Sequence, residues 1–326
     1  MTTELELKFS VADYHRTRPL LAGAVTMPGI KPGFYKALPG EACLRPVYEE
    51  FDVAEMSLSW YVMARDRGEP VYALPIFPLR MFIHPYISYR TGSGIAAPKD
   101  LIGRRIGMDR YRLTVGLWAR GILQDDFGVA PGSVHWFTGE PEGAGFEIPP
   151  SLKLTMAGKD AEQMLLDGDI DALISPNVPD AFRAGDERIQ RLFPQTRETV
   201  QAWFDRTKMF PITHMVVIRE DLLRKEPWLA GRLLAAFEEA DRIAQKEYNY
   251  PKRLSFPTGA LILEEEEKRF GKNPWQHGLD ANRYTLETFM RYAHEQGYTK
   301  RRLSVDEAFW TDDKAGAARP GLIAAE

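Results

Sequence analysis

Three histidines hold the best prospect of proton chemistry in this sequence. His15, His84 and His214 each fall at the edge or end of a strand-like segment, and imidazole is the side chain that exchanges a proton near neutral pH. Singly, each is better read as a structural histidine; as a convergent set they gain weight. Arg16, Arg18, Arg80 and Arg112 stand in or beside neighbouring loops. The fixed fork of guanidinium donors suits planar carboxylates, so these residues point to an anionic, carboxylate-bearing ligand, although each alone serves equally well in a surface ion pair. Arg112 and Thr114 are the stronger pair because they sit at a helix start, which favours anions. Glu55 precedes Ser57 and Ser59, whose hydroxyls either face a ligand or cap a helix. Asn177 lies in the polar loop Ser175-Pro-Asn-Val-Pro179. Trp60, Trp118 and Trp136 read as core, with stacking on an aromatic ligand as the minority alternative.

Stronger motifs are missing. There is no HExxH, P-loop, GxSxG or strand-borne GxGxxG, and the six histidines are scattered, so a metal site would have to be assembled by the fold. The single cysteine, Cys43, excludes an internal disulfide and a multi-cysteine zinc site and reads as a half-buried loop thiol. With 42 Lys+Arg against 46 Asp+Glu the net charge is −4, without the basic footprint of a nucleic-acid binder. The uncharged stretch from Pro19 to Ile30 spans 12 residues with two prolines and two glycines, short of the ~20 apolar residues that cross a bilayer. Acids in the first nine residues are unlike a secretory leader, which gives the expectation of a cytoplasmic protein.

The elements that must position these groups are legible from periodicity. Leu5, Leu7, Phe9 and Val11 alternate with polar residues, as in a strand that ends at Asp13-Tyr-His-Arg16. Phe51–Ala54 reads as a second strand, followed after Glu55 by a helix carrying Met56, Trp60, Tyr61 and Met63 and stopping at Gly68. Pro75 and Pro78 break the apolar run from Val71 to Phe82. Arg104–Met108 and then Tyr111–Thr114 open another strand-to-helix unit, and Val134–Phe137 is the next strand. Asp160-x-x-Gln163 fits a capping box, and Gly168 the residue past a helix end. Ile212–Ile218 is a β-branched strand, and Leu229, Leu233, Phe237, Ala240 and Ala244 mark a long amphipathic helix. The chain from Pro251 looks mostly helical, with a fraying tail from Ala315. At 326 residues the chain holds about two domains, and its repeated β-α units predict α/β architecture with largely parallel sheets. Loops at 13–16, 55–59 and 110–114 then fall at carboxyl ends of strands, where ligands bind in such sheets.

Five segments carry a resemblance: Phe51-Asp-Val-Ala-Glu-Met-Ser-Leu-Ser59, Ile76-Phe-Pro-Leu-Arg-Met-Phe82, Gly116-Leu-Trp-Ala-Arg-Gly-Ile-Leu123, Gly168-Asp-Ile-Asp-Ala-Leu-Ile174 and Phe210-Pro-Ile-Thr-His214. Together, and in order over residues 5 to 245, they resemble the 4,5-dihydroxyphthalate decarboxylase family, which is similar in fold to type II periplasmic solute-binding proteins. The resemblance implies two α/β lobes with a cleft between two mainly parallel sheets. It places lobe I at 1–90 plus 212–326 and lobe II at 91–211, the chain crossing near 85–98 and returning near 205–215. Two positions depart from the pattern: His15 stands where an acidic residue is expected, and Thr213 where a Met is expected.

The function implied is non-oxidative loss of CO2 from a hydroxylated aromatic acid, 4,5-dihydroxyphthalate or a related aryl acid, as in aromatic compound degradation. His15, His84 or His214 would deliver a proton to the ring carbon that bears the carboxylate, and Glu55 would orient a histidine or accept a phenolic proton. Arg80 or Arg112 would hold a second carboxylate, with Arg16, Ser57, Ser59, Thr114 and Asn177 completing the binding set. No cofactor is expected, although a divalent metal held by His and Glu stays open. The partner is a small aromatic carboxylate, with no nucleic acid and no membrane, and a homo-oligomer stays open. Two rivals share the fold: a binder of aromatic carboxylates without catalysis, and a thiamine-precursor synthesis protein.

Overall fold

The computed structural model describes residues 4–38, 47–143, 145–248, 250 and 255–311; Cys43 and the tail from Ala315 lie outside these. The strands are β1 (Leu5–Ala12), β2 (Ile30–Ala37), β3 (Val53–Ser57), β4 (Val71–Ala73), β5 (Leu79–Arg80), β6 (Ile87–Arg90), β7 (Arg105–Met108), β8 (His135–Thr138), β9 (Lys153–Met156), β10 (Ala172–Ile174), β11 (Ile189–Arg191) and β12 (Ile212–Arg219). The helices are α1 (Arg18–Leu21), α2 (Leu58–Asp66), α3 (Thr114–Phe127), α4 (Ala161–Asp167), α5 (Asp180–Arg183), α6 (Thr196–Thr207), α7 (Glu220–Lys225), α8 (Trp228–Tyr248), α9 (Gly259–Phe270), α10 (Arg283–Glu295) and α11 (Val305–Ala308). None is long and apolar enough to cross a membrane.

The chain divides into two units, one made of Met1–Arg80, His214–Leu286 and Leu303–Glu326, the other of Met81–Thr213 and Glu287–Arg302. This differs from the expected division chiefly at residues 287–302. The reason is packing: Phe289 and Tyr292 lie 5.4 and 5.7 Å from the buried Trp118 ring, within the second unit.

The first unit is built on a sheet of order β2-β1-β3-β12-β4, with β5 paired to β12. Alternation in β1 buries Phe9 and Val11 completely, and β1 runs parallel to both β2 and β3. Strand β2 escaped the sequence reading because Lys31-Pro-Gly33 interrupts any period of two. The apolar stripe of α8, Leu229, Leu233 and Phe237, packs into the core with Phe9, Val53 and Val216. Each such side chain contributes about 1.5–3 kcal/mol by leaving water.

The second unit has a sheet of order β11-β6-β10-β7-β8-β9. Asp160 caps α4 by accepting the Gln163 N–H at 2.8 Å, one arm of the expected capping box, while the Gln163 side chain donates to Asp167 instead; Gly168 takes the left-handed conformation at the helix end, as the spacing predicted. Both sheets are mixed: β12 runs antiparallel to β3 and β4 and β6 antiparallel to β10 and β11, while β10, β7, β8 and β9 run parallel. Parallel neighbours arise from crossovers inside one sheet. Strands β6 and β12 instead enter directly from the other unit's part of the chain.

Candidate active site

Strands β1, β3 and β12 are neighbours, and their register decides which side chains meet. Glu55 pairs with Val216 and Ser57 with His214. His214 therefore points to the same face as Glu55, one step along the diagonal, where long side chains reach each other. Glu55, expected between strand and helix, sits inside β3 and is 2% exposed; His214 is 6% exposed. The His214 Nδ1 lies 2.6 Å from Glu55 Oε1. The Tyr14 hydroxyl donates to the same oxygen at 2.6 Å, and the Ala12 N–H donates to Oε2 at 3.2 Å. A buried carboxylate needs its lone pairs filled, and these donors fill them. With Glu55 accepting, Nδ1 carries a proton.

Arg16 follows β1. Its guanidinium donates to the Pro78 carbonyl and lies 3.7 Å from the Trp275 ring and 4.8 Å from that of Tyr14. Burial pulls its pKa below the ordinary arginine range, while Asp241, Tyr14 and Glu55 oppose the shift. His15 stands beside it, 2.8 Å from Glu247 Oε2 and stacked 4.9 Å from Tyr248. A pocket of about 190 Å³ in this unit is lined by His15, Arg16, Asp241, Tyr248, Lys272 and Trp275, among others. Arg80, expected to hold a ligand carboxylate, donates through Nη2 to Gln276 O at 2.5 Å and Asn282 Oδ1 at 2.6 Å, which fixes the segment before α10. Burial and then Arg16 bring its pKa down to about 9. Ser57 occupies the position before α2 without a side-chain cap, its Oγ 3.3 Å from that of Ser59.

The remaining expected residues lie in the second unit. His84 is 1% exposed and begins a 3₁₀ turn rather than edging a strand. Its ring lies edge-on to Phe193 at 5.1 Å and Trp203 at 5.5 Å. Burial, helped by Arg206, lowers its pKa to about 4, so it is neutral at pH 7 and has no imidazolium proton to give. Arg112 and Thr114 are buried at the start of α3, as the spacing predicted. The Glu142 carboxylate accepts the Tyr111 and Arg112 N–H groups at 2.7 and 2.9 Å, and its carbonyl accepts from Arg112 Nε. Asn177 is exposed and lines a pocket of about 500 Å³ with Asp109, Asp160, Glu162 and Asp180. Burial, then Asp160, raises the Asp109 pKa. Of the three histidines, only His214 meets Glu55. Among the described residues no group of three or more His, Cys, Asp or Glu is arranged to hold a metal ion.

Sequence reasoning missed Tyr14 and Asp241. Tyr14 offered no signal beyond lying in the polar end of the first strand. Asp241 did: it is an acid on the otherwise apolar stripe of α8, between Ala240 and Ala244.

No family model matches the chain. The 4,5-dihydroxyphthalate decarboxylase of Comamonas testosteroni is 32% identical over 319 residues, covering 94% of this chain and 97% of that protein. The protein of the same name from Pseudomonas putida is 32% identical over 211 residues, covering 62% of this chain and 82% of its own. Among solved structures, the periplasmic aliphatic sulphonate binding protein SsuA of Escherichia coli superposes with a TM-score of 0.56 at 14% identity, over 95% of this chain and 93% of that one. The desulfurization enzyme DSZB does so with a TM-score of 0.54 at 17% identity, over 94% and 96%. These likenesses show the periplasmic-binding-protein-like α/β fold. The sequence relationship goes further: this chain belongs to the 4,5-dihydroxyphthalate decarboxylase family and is a carboxy-lyase.

Proposed function

We propose that the protein removes CO2 without oxidation from a hydroxylated aromatic carboxylic acid, 4,5-dihydroxyphthalate or a related aryl acid, with the Glu55–His214 pair as proton donor. The observation that carries this reading is the buried 2.6 Å contact between Glu55 Oε1 and His214 Nδ1, present in a chain whose named relatives are decarboxylases. The imidazolium gives its Nε2 proton to the ring carbon bearing the carboxylate. A ring electron pair forms the new C–H bond, and a hydroxyl para to that carbon supports the positive charge left on the ring. The C–C bond to the carboxylate then breaks, its electrons restore the aromatic ring, and CO2 leaves. Neutral His214 regains a proton from solvent, and Glu55 stabilises the imidazolium in between. From 4,5-dihydroxyphthalate the product is 3,4-dihydroxybenzoate.

The departure at His15 supports keeping the substrate class at related aryl acids, since this side chain engages Glu247 and Tyr248. The chemistry requires no cofactor; dialysis against a chelator tests the alternative of a divalent metal bridging phenolate and carboxylate. A cytoplasmic location belongs to the same proposal and is tested by fractionation. The deciding experiment incubates the purified protein with hydroxylated phthalates and benzoates and follows CO2 release. Turnover of at least one member is the expected result. Binding across the panel with no CO2 from any member would overturn the proposal in favour of a binding protein.

A further inference from the structure

Thr17 stands just before α1, where a threonine hydroxyl ordinarily accepts a backbone N–H of the first helical turn. Here it makes no such bond. The second residue of α1 is Pro19, which has no N–H to offer. The hydroxyl turns back instead: Oγ1 donates to the Ala12 carbonyl at 2.6 Å and accepts the Tyr14 N–H at 2.9 Å, with a longer contact of 3.3 Å to the Tyr14 carbonyl. At 1% exposure it is a buried polar group whose donor and acceptor are both used. The two residues it ties together are the two that bind Glu55. Ala12 does so through its N–H, 3.2 Å from Oε2, and Tyr14 through its hydroxyl, 2.6 Å from Oε1. The Thr17 N–H donates to the Tyr14 carbonyl at 3.1 Å as well, so the turn closes on itself.

We infer that Thr17 is a positioning residue for the proton donor: its hydroxyl fixes the turn that presents the Ala12 N–H and the Tyr14 hydroxyl to Glu55, and so sets how much of the Glu55 charge is left for His214. The inference deepens the proposed function and rests on it for the role of the Glu55–His214 pair. Each donor on a carboxylate draws on its negative charge, so a looser turn makes Glu55 a stronger partner for the imidazolium. The other charged groups around the pair have fixed engagements of their own. Arg16, on the same turn, is within electrostatic reach of Glu55 and Tyr14. Arg80 of β5, which pairs with β12, binds Gln276 and Asn282. Arg219 of β12 faces Asp52 and Asp221. Asp13 is paired with Arg18 and Lys36, and His15 with Glu247. None of these contacts uses the Thr17 hydroxyl.

The test follows His214 itself, independently of turnover, by NMR titration of isotope-labelled histidine, its signal identified by its absence from His214→Ala. Thr17→Val keeps the shape and removes the hydroxyl, while the Tyr14 N–H retains its bond to the Ala12 carbonyl at 3.1 Å. It should raise the proton affinity of His214 at least about threefold, in the direction expected of Tyr14→Phe. Thr17→Ser restores the hydroxyl and should bring the affinity back to within about 1.5-fold of the unaltered protein. In a Tyr14→Phe background, Thr17→Val should add less than about 1.5-fold, because its route to Glu55 runs mainly through Tyr14. The inference is overturned if Thr17→Val leaves His214 unmoved, if Thr17→Ser moves it as far, or if the two changes add in full. A Thr17→Val chain that does not fold would overturn it too, by assigning the hydroxyl to the fold alone. CO2 release with a His214 titration indifferent to Thr17 would sink this inference and spare the proposed function. A His214 titration that follows Thr17, in a protein that releases CO2 from no substrate, would do the reverse.

Discussion

Glu55 and His214 are 159 residues apart in the chain, and their polar atoms are 2.6 Å apart in the fold. If His214 delivers the proton, His214→Ala should lower kcat by roughly 10²–10⁴-fold, the usual contribution of a general acid. Glu55→Gln keeps the shape and loses the charge that steadies the imidazolium, and should cost a similar factor. Thermal unfolding should move by less than about 4 °C for His214→Ala, since Tyr14 and the Ala12 N–H still satisfy Glu55. Unfolding of the variant at assay temperature would assign His214 a structural role instead.

Tyr14 competes with His214 for the same Glu55 oxygen. Tyr14→Phe frees that oxygen to interact with the imidazolium alone and favours the protonated ring. The alkaline limb of the pH–rate profile should therefore move to higher pH, while kcat on the acidic plateau changes by less than about tenfold. A uniform loss of rate at every pH would show that Tyr14 only supports the local fold.

His84 makes the second unit sensitive to acid. Its pKa of about 4 in the folded protein compares with ~6.5 in an unfolded chain. Between these values the unfolded state binds more protons, so stability falls as pH drops from about 6.5 to about 4 and this contribution falls no further below that. The loss amounts to at most about 3 kcal/mol. Urea midpoints at pH 7 and pH 4.5 should differ less in His84→Phe than in the unaltered protein.

Gly121 in α3 faces Tyr292 so closely that a Cβ would lie 2.2 Å from its ring. The ring is held by a hydrogen bond from its hydroxyl to Asp125 Oδ2 at 2.7 Å and packs against Trp118, so it has little room to give. Gly121→Ala should destabilise by about 3 kcal/mol or more, at the upper end of overpacking costs, read as a fall in the thermal midpoint. Tyr292→Ala should restore part of the loss in the double variant.

Periodicity and turn chemistry make most elements readable in the amino-acid sequence. The alternation in β1, the stripe on α8, the Asp160 cap and Gly168 all depend on contacts within a few residues, and the resemblance to the decarboxylase family carried the fold class. The candidate site was legible as a roster: Glu55, His214 and Arg16 were named, but so were Arg80, His84 and Asn177, which make other contacts. Only the tertiary structure could sort them. Glu55 meets His214 because β12 runs antiparallel to β3 in a particular register, and strand direction and register arise from long-range pairing that leaves no trace in local spacing. Arg80 and Gln276 meet across 196 residues through a loop carbonyl that no local spacing announces. A side chain's chemistry is written in its own identity, whereas its partners are set by how distant segments bury their surfaces together.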